Sequence, residues 1–122
     1  MIRAEFDMVM QKIEEGRDYP SIDRMLAPYI EKGDLDARYL KTQYHSGGSF
    51  DGEDFDRWRA SELVSLSKEG HPESLFQLGL LHMDGDLVEH SVDRARVMIS
   101  MAALLGCEEA KRSIERSFGH LW

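Results

Sequence analysis

Cysteine is almost missing from this chain: Cys107 stands alone among 122 residues. No internal disulfide framework can therefore staple the core, and the usage suits a reducing cell interior. Basic residues are also short, with 15 Lys and Arg against 23 Asp and Glu and a formal net charge of -8. That balance argues against nucleic acid, whose binders release counterions from phosphate with a basic surface, and equally against an anionic lipid surface. No apolar run approaches the roughly 20 residues of a membrane span. The start, Met-Ile-Arg-Ala-Glu-Phe-Asp-Met, has no basic and apolar export signal, so a cytoplasmic location is expected. Phosphate-binding glycine loops, a nucleophile elbow, zinc-finger spacing and a His-Glu-x-x-His helix are all missing, and the chain is expected to be no enzyme and to need no cofactor or metal.

What is present is a soluble composition, 42% hydrophobic and 31% charged, in a length that suits one domain. The organising stretch is Gly70 to Gly106. A helix with Leu75, Leu78 and Leu81 runs into the turn Met83-Asp84-Gly85-Asp86, and a second helix carries Ala95, Met98, Ile99, Ala102 and Ala103. Apolar residues three and four apart make one face of each.

This unit repeats. Gly33 stands 37 residues before Gly70 and Gly106 stands 36 after it. Set on those glycines, Ala37, Ser74 and Ala110 align as small residues, followed by Lys41, Leu78 and Ile114, then His45, His82 and Phe118, then Gly48 and Gly85. Phe55-Asp-Arg-Trp-Arg and Val92-Asp-Arg-Ala-Arg also align, with one residue of slippage in the first copy.

Upstream, residues 2–15 read as an amphipathic helix through Ile2, Phe6, Val9, Met10 and Ile13, ended near Gly16. Asp18 to Ser21 reads as a turn. Residues 21–32 then carry Ile22, Met25, Leu26, Tyr29 and Ile30 on one face, with Pro28 expected to kink or divide the helix. The next helix spans about 34–44 with Asp34 as N-cap, before a glycine-rich loop from His45 to Asp54. Asp54 or Asp56 opens a helix to Glu69, Pro72 sits in the first turn of the next, and a last helix runs from Glu108 to about Phe118, with Trp122 beyond it as a cover for an open core edge. The expectation is all-α: seven helices and no strand, antiparallel neighbours joined by short loops, in one domain made of an N-terminal helix pair (1–32), a repeat (33–69), a second repeat (70–105) and a capping helix (106–122).

The order Ser74, Leu78-Gly79, His82, Gly85, Asp93, Ala95, Ala102-Ala103 and Gly106 resembles the Sel-one-like repeat, a relative of the tetratricopeptide repeats. The first copy departs from the pattern, with Lys41-Thr42 at Leu-Gly and Ser67-Lys68 at Ala-Ala. The resemblance covers roughly residues 33–122. It implies a short right-handed α/α solenoid that binds other proteins, and it carries no catalytic residues.

Three constellations invite chemistry. The run Asp51-Gly-Glu-Asp-Phe-Asp56 is acidic but lacks calcium-loop spacing; it reads better as support for a helix N-terminus or as charge shown to a partner. His82, Asp84, Asp86 and His90 could ligate zinc, but the repeat register makes His82 a packing residue with its ring nitrogens bonded to backbone. Cys107 begins a helix, where the dipole can lower a thiol pKa, yet no histidine base is placed beside it, and it reads as a small packing residue.

In repeats of the resembled kind the first helix of each pair lines the concave side. That register nominates Asp36, Tyr39 and Gln43 in the first copy, Glu73, Phe76, Leu80 and Met83 in the second, and Glu109 in the third as the partner-binding set. Phe76, Leu80 and Met83 would be a second apolar stripe on a helix that already has one, so this helix is either buried on both sides, as a central element of a short solenoid, or has a stripe that waits for a partner. Aromatic anchors with an acidic rim suit a basic protein partner or a helix laid in a groove; acidity for solubility alone accounts for the charge equally well. The expected function is an immunity protein that neutralises a cognate bacterial toxin. A regulatory adaptor or scaffold is the alternative, and a metal-dependent hydrolase using His82, Asp84 and His90 is a third class. A homodimer through the doubly apolar helix is open.

Overall fold

A computed structural model of the chain describes residues 1–46 and 52–117. Among them the structure is all-helical: α1 (Arg3–Glu15), α2 (Tyr19–Glu31), α3 (Leu35–Lys41), α4 (Gly52–Lys68), α5 (Pro72–Asp84), α6 (Val92–Leu104) and α7 (Glu108–Arg116), with no strand. The backbone divides into two compact units, Met1–Glu62 and Leu63–Trp122. The division falls inside α4, between the glycine corners rather than at one of them.

Those corners are alike in atomic detail. Gly33, Gly70 and Gly106 each follow a helix and adopt φ of 80°, 82° and 106°, a left-handed conformation that costs an L side chain about 1–2 kcal/mol. At each one the following amide reaches five residues back, Asp34 to the Tyr29 carbonyl, His71 to Leu66 and Cys107 to Ala102, at 2.9–3.1 Å. The glycine's own amide reaches three back, to Ile30, Ser67 and Ala103. This pairing satisfies the carbonyls a helix leaves open at its C-terminus. The residue after the glycine caps the next helix. Asp34 Oδ1 accepts from the Ala37 amide at 2.9 Å, and His71 Nδ1 accepts from the Ser74 amide at 3.3 Å; Cys107 makes no such side-chain bond. Ala37, Ser74 and Ala110, the small residues of the repeat, are wholly buried.

In the first unit α1 packs on α2 and α3, and α2 packs on α3. Phe6, Val9 and Ile13 are the buried residues of α1, ended by left-handed Gly16; Ile22 and Leu26 are those of α2. The expected turn at 18–21 is shorter than the sequence suggests. Asp18 takes the left-handed conformation as N-cap and α2 starts at Tyr19, with Pro20 inside its first turn, where a missing amide costs nothing. Pro28 does not divide α2, which runs on to Glu31. Pro28 and Arg24, whose carbonyl loses its donor, are both exposed residues, and the lost bond does not break the helix.

α3 ends three residues earlier than its apolar pattern. Thr42, standing where the second copy has Gly79, donates its hydroxyl to the Tyr39 carbonyl at 2.6 Å, and the amides of Thr42 and Gln43 tighten to i-3 bonds. The Thr42 carbonyl then accepts from Arg59 Nε at 3.0 Å. A fully buried threonine hydroxyl competing for backbone thus stops the helix. At the other side of the glycine-rich loop, α4 starts at Gly52, earlier than Asp54. Glu53 and Asp54 lie in its first turn, and both pair with Arg57 at 3.1 Å. From Glu53 on, the acidic run is helix rather than loop; Asp51, with the rest of 47–51, lies outside the described residues, as do Phe118 and Trp122.

In the second unit α5 packs on α6, and α6 on α7. Gly79 sets how closely α5 and α6 meet. A Cβ there would stand 2.8 Å from Ile99 Cγ1 and 3.3 Å from the Ala95 carbonyl oxygen. Ile99 is buried and β-branched, so it cannot swing aside. Gly79→Ala should gain up to about 1 kcal/mol of helix propensity and lose roughly 1–3 kcal/mol to overpacking, for a net loss near ~1 kcal/mol. Gly79→Val should lose several times that. Thermal melts of both variants against the parent chain check the order.

Candidate protein-binding surface

The register that nominates a partner surface meets the structure unevenly. Tyr39 is only 4% exposed and Phe76 only 7%, so both proposed aromatic anchors are core residues. Tyr39 stacks on Phe6 of α1, with ring centroids 6.1 Å apart and planes 17° from parallel. Phe76 lies in a cluster with Leu75, Ile99, Ala102, Cys107 and Ala110. Phe76 is enclosed because it meets residues of α6 and α7 at once, whereas Leu80 and Met83 of the same stripe stay at the edge of the unit. The other nominated residues are peripheral. Asp36, Gln43, Glu73 and Met83 are half-buried, Leu80 sits at the edge of exposure, and Glu109 is exposed. Gln43 is tied locally, its amide donating to Thr42 Oγ1 at 2.9 Å.

The first unit carries a polar latch instead. The Asp23 carboxylate accepts from both Lys41 Nζ and the Tyr44 hydroxyl at 2.5 Å, and Tyr44 is buried with its ring 5.1 Å from that of Tyr19. Burial works against the Asp23 charge, but the bonds from Lys41 and Tyr44 outweigh it and hold the carboxyl below the ordinary value of 3.8. Burial, together with the same carboxylate, pushes the Tyr44 phenol far above its usual range. The latch pins the chain just after α3 and has the form of a structural device.

His82 is the loop clamp its register suggested. It is buried, and Nδ1 lies 2.7 Å from the Glu89 carbonyl oxygen, so Nδ1 carries the proton and donates. Its own carbonyl accepts from the Ser91 amide at 2.9 Å. Ser91 Oγ in turn caps α6 at the Arg94 amide. Asp84, Asp86 and His90 are all exposed. Cys107 is a buried packing residue, as expected, and its helix position does not lower its pKa: burial first, and then the nearby Glu73 charge, raise it.

The surface that the sequence reading missed is on α6. Val97, Met101 and Leu104 are 59%, 45% and 88% exposed, and their spacing of four and three residues makes one continuous stripe. Leu105 and Leu87 are exposed as well, and Leu87 holds a left-handed φ of 61° without being glycine. Along this stripe runs an open groove of about 490 Å³, floored by Leu75 and Leu78 of α5 and walled by Val64 of α4 and Met98 of α6. Its charged lining is cationic, Lys68 and Arg94, with no carboxylate. The signal was in the sequence. Once Ala95, Ile99 and Ala102 are assigned to the core, the leftover apolar residues of this helix fall at helical spacing on another face. Comparison with family models, with curated proteins and with solved structures gives no match.

Two outcomes follow. Asp23→Asn should cost roughly 1 kcal/mol near neutral pH, a charge-assisted bond discounted for a site about a third open to water. Because the folded carboxyl is depressed, that stabilisation is present above about pH 4 and fades as acid passes through the lower folded value; paired denaturant titrations at pH 7 and pH 3 should show the gap closing. Cys107 should react with a disulfide reagent at pH 8 at least about 100-fold more slowly in the native chain than in urea, since the thiol is both covered and held protonated.

Proposed function

We propose that this chain is a non-enzymatic protein-binding module, a cytoplasmic immunity protein that binds and neutralises a cognate bacterial toxin. The observation that carries the reading is the apolar stripe of α6 with its groove. Large side chains left open to water in this density, on a chain otherwise rich in charge, mark a surface that another molecule covers. The absence of any membrane-length apolar helix among the described residues agrees with a partner met in solution. The three like corners at Gly33, Gly70 and Gly106, with a buried small residue after each, support the Sel-one-like reading and a short right-handed α/α solenoid built from it. In this reading the chain performs no chemistry and takes neither nucleic acid nor membrane as partner.

Inhibition by occlusion needs only a tight and complementary surface. The net charge of -8 would draw in a basic toxin domain over long range, while a smaller apolar patch supplies the contact. The second reading, a regulatory adaptor or scaffold, is favoured by one particular feature: Met98 and Met101 at the groove are flexible side chains that reshape to more than one partner.

The two part on affinity. The immunity reading expects a toxin-domain gene beside this one; mixed with that gene's product, the chain should form a 1:1 complex at nanomolar Kd or tighter, about -12 kcal/mol, and abolish toxicity in cells that co-express both. Micromolar binding with toxicity intact supports the adaptor. No complex and no protection sinks the immunity reading.

A further inference from the structure

The groove itself constrains what can fill it. We infer that it seats an amphipathic helix of a partner protein, one that presents an apolar face to α6 and carries acidic residues on the flank facing Lys68 and Arg94. The inference deepens the proposal above and rests on the chain being a protein-binding module.

Three observations lead there. The first is shape: the apolar surface continues past the groove along α6 from Val97 through Met101 to Leu104, about 10 Å of helix at 1.5 Å per residue. Leu105, next to Leu104 in the chain, is exposed as well. A compact small molecule would leave most of that length wet, whereas a helix laid alongside covers it. The second is the kind of edge on offer. Side chains four and three apart form a ridge that fits between the ridges of another helix, and among the described residues there is no strand whose edge could take up an extended peptide. The third is charge. In a chain with 23 acidic and 15 basic residues, the charged side chains lining this groove are both cations, and neither is ion-paired among the described residues. A second copy of this chain is a poorer occupant, because two bodies of charge -8 repel as they approach. The site also differs from the concave surface nominated by register: it lies against the second helix of the repeat and selects an acidic flank on one helix of a partner whose domain as a whole is basic.

The test uses the full chain and a phage-displayed library of 14-residue helical peptides with leucine fixed at i, i+4 and i+7 and all flanking positions randomised. Selected peptides should be enriched in Asp and Glu, bind at micromolar Kd, and shift the NMR signals of Val97, Met98, Met101 and Leu104. Val97→Glu and Met101→Glu, both at exposed positions and so expected to leave the melting curve unchanged, should each weaken binding at least tenfold. The double reversal K68E/R94E should turn the preference toward Lys- and Arg-bearing peptides, a result that loss of packing alone does not produce. Enrichment of basic peptides by the parent chain, a footprint away from α6, or a parent dimer in sedimentation that Met101→Glu dissociates each overturns the inference. Should the library give no binder while the toxin domain still forms its complex, the groove fails and the module reading stands; should both come back empty, both fail.

Discussion

A backbone conformation open to glycine at little cost recurs at the three joints that organise the repeat. At Gly33, Gly70 and Gly106 the left-handed turn lets one amide reach back five residues and its neighbour three, closing a helix that would otherwise run on. The very next residue is then free to cap a new one. Helix closure and helix initiation are compressed into two residues, which is why a small residue always follows at a fixed distance: Ala37, Ser74 and Ala110 all lie without exposed surface, pressed close by the tightness of the corner. Around this repeated joint the copies diverge. Where Gly79 lets α5 and α6 approach closely, the position in the first copy holds Thr42, whose hydroxyl takes a backbone carbonyl and ends α3 early.

Polar groups inside each unit fasten internal segments of backbone. Asp23 gathers Lys41 and Tyr44, and His82 ties down the segment that leads into α6. Each of these residue types would also suit a catalytic or metal site. Here the buried imidazole donates to a carbonyl and the carboxylate accepts from an ammonium and a phenol, contacts that hold backbone in place. The apolar groups divide in the opposite way from the register. The residues that look like anchors, Tyr39 and Phe76, are consumed by the core, and the side of α6 opposite Ala95 and Ala102 is left uncovered.

The sequence by itself determined the helices and the joints between them, because periodicity, glycine conformation and capping act within a few residues. Seven helices, the Asp34 cap, the first-turn Pro72 and the burial of Leu75 and Leu78 were all legible in that way. It misjudged features of the same range where a side chain competes with the backbone, as at Thr42, and where a proline falls at an exposed position of a helix, as at Pro28. What only the tertiary structure decided is which of two apolar faces on one helix stays wet. Leucine, methionine and phenylalanine gain from burial against any apolar neighbour, so local spacing can show that a second stripe exists. It cannot tell that Phe76 of the stripe on α5 would be enclosed while Leu80 and the stripe on α6 stay open, since that depends on where the neighbouring helices lie.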